Sequence, residues 1–272
     1  MRRPLVIGAQ KLYLHLEDSI DFASQLRDSL ADRSLSLDVA VCPSFINLAH
    51  VAGVLKGSSV GIGAQNVHQE ENGAFTGQVA IRELLDRGVQ FVIVGHSELR
   101  TQQGEKNEAV NRKIRTCLAR AITPIACVGE NRQEREQGRS NDVVEQDLQA
   151  MLSGVSPEEF PVRDLVIAYE PVWAIRGGRD DKNASAANPS TANEMHEFIR
   201  GVVSRIYDAQ LARQIRIIYG GSVSAHNAGK LLREPSIDGL LVGTASVRLD
   251  LFLQVIDACE EALSSAPISH SL

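Results

Sequence analysis

Short apolar runs recur along the chain at Leu5–Ala9, Asp38–Pro43, Val60–Gln65, Phe91–Gly95, Thr123–Gly129, Asp164–Pro171, Arg216–Gly220 and Gly239–Thr244. They are rich in Val and Ile and show no polar alternation. A strand with one wet face alternates, whereas a strand covered on both faces does not. Such doubly covered strands belong to parallel sheets. Between most of the runs lie stretches with apolar residues at three- and four-residue spacing and charges elsewhere, at 18–32, 79–88, 107–121, 141–154, 190–208 and 225–234. That spacing predicts amphipathic helices, and several begin after Ser, Asp or Asn, which cap helix N-termini well.

Strands and helices therefore alternate in βα units, with no composition shift or low-complexity linker to divide them. The pattern predicts one α/β domain over residues 1–272, a (β/α)8 barrel, with 264–272 as a flexible tail. The alternative is an open doubly wound sheet, which usually carries a Gly-rich fingerprint after its first strand. Here "VIGAQKLYL" offers a single Gly.

Composition narrows the class of partner. The chain has 272 residues, 43% hydrophobic and 23% charged, with a net charge of −6. An acidic balance with scattered Lys and Arg speaks against a nucleic-acid surface. No window approaches the ~18 apolar residues of a membrane span. The N-terminal "MRRPLVIGAQ" has too short an apolar run for a secretory leader. The expectation is a cytoplasmic protein without nucleic-acid or membrane partners. Cys42, Cys117, Cys127 and Cys259 form no C-x-x-C pair and sit in apolar settings, which reads as buried free thiols in a reducing compartment.

A barrel places its chemistry at the C-terminal ends of its strands. Those ends read Gly8-Ala9-Gln10-Lys11, Gln65-Asn66, Gly95-His96-Ser97-Glu98, Cys127-Val128-Gly129-Glu130, Tyr169-Glu170, Tyr219-Gly220-Gly221-Ser222 and Gly243-Thr244-Ala245-Ser246. Taken singly, Lys11 reads as a solvated rim lysine and His96 as a structural histidine. Glu98 and Glu130 read as salt-bridge partners. Glu170, before Pro and "VWAI", has no evident partner. Burial there would raise its pKa and make it a competent base. The glycines after the last two strands expose backbone N–H groups where barrels commonly bind phosphate.

The segments "GAQNVHQEENGAFTGQVA", "GHSE", "IACVGE", "AYEPVWAI", "IIYGGSV" and "GLLVGTAS" together resemble the triosephosphate isomerase family, in the family's order, from about Ile7 to Phe252. The resemblance implies a TIM barrel that moves a proton between adjacent carbons of a ketose and an aldose phosphate. Glu170 matches the base, His96 the group that polarises the carbonyl, and Lys11 the cation that attracts the anionic substrate. This family is itself the standard example of a Glu base paired with a neutral His at a helix N-terminus. Residues 171–178 match a lid that closes over phosphate, with Arg176 and Gly177 at its tip. Ser222, Gly243 and Thr244 match the phosphate site. Ser97, Glu98 and Cys127 match supporting residues. Phe75 and Thr76 lie on a loop that reaches a neighbouring subunit in the family, so a homodimer is implied. No metal or organic cofactor is implied.

The departures fall near the substrate. The family pattern Gly-Asn-x-Lys is Gly8-Ala9-Gln10-Lys11 here. Arg176 replaces the Gly after "VWAI", Leu99 replaces the Arg after "GHSE", Thr244 replaces a second Gly, and "RDDKNASAA" lengthens the lid's second hinge. Losing one polar donor can shift specificity. Two alternatives to a triose substrate therefore stand: an isomerase of a related sugar phosphate such as a tetrulose phosphate, and a barrel that binds sugar phosphate without turning it over.

Overall fold

The computed structural model describes residues 2–175 and 186–265. Strands β1 (Leu5–Ala9), β2 (Asp38–Cys42), β3 (Val60–Ala64), β4 (Phe91–Val94), β5 (Thr123–Val128), β6 (Val166–Tyr169), β7 (Arg216–Tyr219) and β8 (Gly239–Val242) follow the apolar runs. They close in sequence order into a parallel barrel, with β1 hydrogen-bonded to both β2 and β8. Helices α1 (Leu16–Leu30), α2 (Phe45–Leu55), α3 (Ile81–Leu85), α4 (Ser97–Gln103), α5 (Asn107–Ala119), α6 (Arg132–Glu136), α7 (Ser140–Met151), α8 (Pro189–Ile206), α9 (Ala209–Ala212), α10 (Ala225–Leu232) and α11 (Leu249–Ser264) lie in the connections and after β8.

The lack of polar alternation now has its cause. Leu5, Ile7, Ala9, Ala40, Cys42, Ile93, Ile125, Cys127, Val166, Ala168, Ile218 and Leu241 fill the barrel interior. Their sequence neighbours, such as Val6, Val41, Val92, Val128, Ile167 and Ile217, pack outward against the helices. Both faces of every strand are dry, and fully burying one such side chain is worth about 1.5–3 kcal/mol. Glycines on β3 make room for this interior: a Cβ at Gly63 would lie 2.5 Å from Cys42 Sγ. All four cysteines are buried and unpaired, as expected.

Five helices lie outside the predicted stretches: the short α4, α6 and α9, and the longer α2 and α11. In α2 the outward residues are themselves apolar, with Ile46 84% exposed, so its periodicity is washed out. In α11 the buried residues Phe252, Val255, Ile256, Cys259 and Ala262 keep a plain helical spacing. Strand β6 is shorter than predicted, because 162–164 form a 3₁₀ turn before it and Glu170 and Pro171 fall just past its end. Of the expected tail, Ser264 closes α11, while 266–272 lie outside the described residues.

Candidate active site

Every strand named above delivers its last residue to one mouth. Glu170 follows β6 and is 2% exposed. Its backbone N–H continues the ladder to Val128 O at 2.7 Å, so the carboxylate leaves the sheet at a fixed point. Its Oε2 accepts from the Ser97 backbone N–H at 2.9 Å. Its Oε1 lies 2.9 Å from His96 Nε2. His96 is the N-cap of α4, and its Nδ1 accepts from the Glu98 N–H at 3.2 Å. Lys11 follows β1, and its Nζ meets Glu98 Oε1 at 2.6 Å. Lys11, His96 and Glu98 line one cleft of about 370 Å³, together with Ala9, Gln65 and Leu99.

The tautomer of His96 follows from its partners. A nitrogen that accepts a backbone N–H carries no proton. The ring proton therefore sits on Nε2, where it donates to Glu170. Burial lowers the pKa of His96, but the adjacent Glu170 carboxylate, its hydrogen bond and Glu98 outweigh burial and raise it from the ordinary value. The resemblance implied a neutral His at a helix N-terminus, and in this geometry the neighbouring carboxylates pull the other way. The Glu98 N–H still opposes a second ring proton, and most of the raising influence departs if Glu170 leaves His96.

Glu170 also differs from the sequence reading. Burial does push its pKa up, but His96, the Ser97 N–H and Lys11 together hold it below the ordinary carboxylate value. The carboxylate is thus ionised in this geometry, and it becomes a stronger base when it leaves those donors. Of the residues the resemblance marked as supporting, the Ser97 backbone meets Glu170 and the Glu98 side chain meets Lys11. Cys127, 1% exposed, lies within the barrel, and burial, then Glu170, pushes its thiol well above the ordinary range. That keeps it an inert packing group.

Glu130 is fully buried and has a larger part than an ion-pair partner. Its carboxylate accepts from Tyr169 Oη at 3.1 Å and from Trp173 Nε1 at 2.8 Å. Arg135 lies 3.4 Å from it and stacks over the Trp173 ring at 4.0 Å. Glu130 therefore anchors residues 171–175, the described part of the expected lid. The only signal in the sequence was a Glu at the end of a dry strand; Trp173 lies 43 residues further on, and Tyr169 and Arg135 carried none.

The phosphate-side residues are only partly assembled. Ser222 Oγ and N–H both donate to Ala174 O, at 2.8 and 3.2 Å, so a phosphate contact from this N–H requires its release. Gly243 stands at the tip of β8, directly before a 3₁₀ turn over Thr244–Val247, and has open space where a Cβ would be. Thr244 is exposed. Arg176 and Gly177 lie outside the described residues.

The loop carrying Phe75 and Thr76 stands out from the barrel. Phe75 stacks on His68 with ring centroids 4.2 Å apart, and Thr76 is exposed. Helix α5 holds the loop from behind, through a bidentate Arg120–Glu71 pair and through Arg112 and Thr116 on Gln69.

With this geometry in place, the comparisons with known proteins are decisive. A model of the family "Triosephosphate isomerase" matches residues 4–259. The chain belongs to the triosephosphate isomerase family. A triosephosphate isomerase from Carboxydothermus hydrogenoformans is 43% identical over 94% of this chain and 98% of its own length. One from Chloroflexus aurantiacus is 40% identical over 94% of this chain and 99% of its own. One from Bacteroides fragilis is 38% identical over 95% and 99%. The match to the family runs through all eight strands, so the departures at Ala9, Leu99 and Thr244 are local changes on a complete scaffold.

Proposed function

We propose that Glu170, His96 and Lys11 carry out the family's reaction here, the interconversion of dihydroxyacetone phosphate and glyceraldehyde 3-phosphate. The observation that supports this most is the Glu170 carboxylate, buried and 2.9 Å from both His96 Nε2 and the Ser97 N–H. Substrate entering over Lys11 takes the His96 Nε2–H onto its carbonyl oxygen and so displaces Glu170. The freed carboxylate removes the C1 proton. The negative charge that develops on oxygen is met by His96 Nε2–H and by the Lys11 ammonium. His96 Nε2 passes its proton to O2 and takes the O1 hydroxyl proton back, and return of the abstracted proton at C2 gives the aldose. Neutral His96 suits this step, because its single ring proton can be lent to one substrate oxygen and restored from the other.

The net charge of −6 repels a phosphate ester, so Lys11 and the backbone N–H groups around Ser222 and Gly243 supply the local attraction. A homodimer is part of the proposal. Leu12, at the rim of the Lys11 cleft, is 88% exposed, and Ile46 at 84% and Phe75 at 43% are further large apolar side chains that a second copy would cover.

Proton exchange followed by NMR tests the reading. Turnover of glyceraldehyde 3-phosphate, with loss of several orders of magnitude in Glu170→Gln, is expected. Because Ala9 leaves a methyl in the cleft, erythrulose phosphate is the second arm. Exchange with that sugar alone would overturn the triose assignment, and binding without exchange would overturn catalysis.

A further inference from the structure

Lys11 has φ 53°, and Ala121 is the other described non-glycine residue with positive φ. A residue with a Cβ is disfavoured in this region and stays there only where its surroundings hold it. At the end of β1 little is available to do so. Ala9 has only a methyl. Gln10 N–H continues the ladder to Cys42 O at 3.1 Å, and Tyr13 N–H returns to Gln10 O at 3.3 Å. The second bond closes a turn with Lys11 as its first central residue, but at 3.3 Å it is long, and neither bond holds the Lys11 carbonyl.

The Gln65 side chain holds that carbonyl. It follows β3, two strands away. Its Nε2 donates to Lys11 O at 2.9 Å and to Cys42 O at 3.0 Å. Both partners are carbonyls, so only the amide nitrogen can face them, and both amide protons are used. One side chain thus ties together the tips of β1, β2 and β3, and it fixes the carbonyl of the left-handed residue. The Lys11 side chain leaves from that fixed backbone and reaches Glu98 at 2.6 Å, beside His96.

We propose that Gln65 is the positioning residue for Lys11, holding its backbone left-handed so that the ammonium points into the substrate cleft. The inference rests on the assignment of Lys11 to substrate binding made above. Without the amide donors, Lys11 O and Cys42 O each lose a hydrogen bond. Lys11 then relaxes toward negative φ, which re-aims its whole side chain. The absence of a polar side chain at position 9 concentrates this duty on Gln65.

Gln65→Met keeps the length and apolar stem while removing both donors. Misplacement of a working group by an ångström costs about a hundredfold. Gln65→Met is expected to lower kcat/KM for glyceraldehyde 3-phosphate by about 10- to 100-fold, divided between KM and kcat as in Lys11→Met. A double-mutant cycle separates this from general bracing of the rim. In the Lys11→Met background, Gln65→Met is expected to cost less than about threefold more. Three results would overturn the inference: an unchanged rate in Gln65→Met, a Gln65→Met loss that multiplies in full with that of Lys11→Met, or wild-type kinetics in Lys11→Met itself. The last would also overturn the assignment of Lys11, while the first two would leave that assignment standing. If Gln65→Met does not fold, the same cycle is run with Gln65→Glu, whose carboxylate turns oxygens toward both carbonyls at neutral pH.

Discussion

Gly129→Ala tests whether the position of Glu170 is set by backbone packing at the barrel mouth. Gly129 follows β5, and an added Cβ would lie 1.9 Å from Glu170 O and 2.5 Å from its carbonyl carbon. Side-chain flexibility cannot relieve this contact, since both atoms belong to the backbone that carries the base. Real Cβ contacts do not fall below 3.0 Å, so roughly 1 Å must open between the tips of β5 and β6. Overpacking of that kind costs about 1–3 kcal/mol of stability. The displacement falls on the catalytic carboxylate, where a 1 Å error costs about 100-fold in rate, equivalent to about 2.7 kcal/mol in the barrier. Two comparisons grade the effect. At Gly220 the new Cβ would lie 2.9 Å from Glu170 Cγ, a side-chain atom that can yield, so a smaller loss is expected. At Gly53, in the last turn of α2, nothing lies within 4 Å, and Gly53→Ala is expected to add up to about 1 kcal/mol through helix propensity and leave the rate alone. Steady-state kinetics with urea unfolding reads all three. Folded Gly129→Ala protein with kcat/KM within about threefold of the parent would refute the argument, because the contact would then be relieved without moving Glu170.

Three further outcomes follow from the same geometry. His196 on α8 is fully buried, and desolvation pushes its pKa down to about 3. The unfolded chain takes up a proton near 6.5 while the folded one does not, so stability falls as pH drops below 6.5, by about 2 kcal/mol at pH 5; in His196→Gln, urea midpoints across pH 5–8 should lose that component, and an unchanged slope would count against it. Glu130→Gln keeps the size of the anchor for Tyr169 and Trp173 but removes its charge beside Arg135. A loss of about 1–3 kcal/mol is expected, together with a lower kcat, and thermal unfolding with kinetics reads both. Ile46→Asp places a charge on an exposed apolar position and is expected to shift the sedimentation coefficient from dimer to monomer at micromolar concentration. A monomeric parent would sink the dimer proposal.

The order and class of the elements were legible because burial on both faces of a barrel strand suppresses polar alternation, and that suppression is a property of composition alone. Glu170 stood out for the same reason, since a charge at the end of a dry strand has no local explanation, whereas Lys11 and His96 read singly as a rim lysine and a structural histidine and gained their expected roles only from the family resemblance. What the chain order does not contain is which side chains meet across the mouth. The pKa directions of Glu170 and His96 were out of reach, since each depends on the other and on the N–H groups of Ser97 and Glu98, from a different strand end. Gln65 stood among the strand ends, but nothing local marks it as the residue that holds Lys11 left-handed. Glu130 stood at the end of β5, far from the lid motif in the chain, and its role as the acceptor for Tyr169 and Trp173 exists only once β5 and β6 are side by side. Periodicity and composition are local along the chain and therefore readable from it. Proton positions and hydrogen-bond geometry arise between strands, so closure of the barrel decided them.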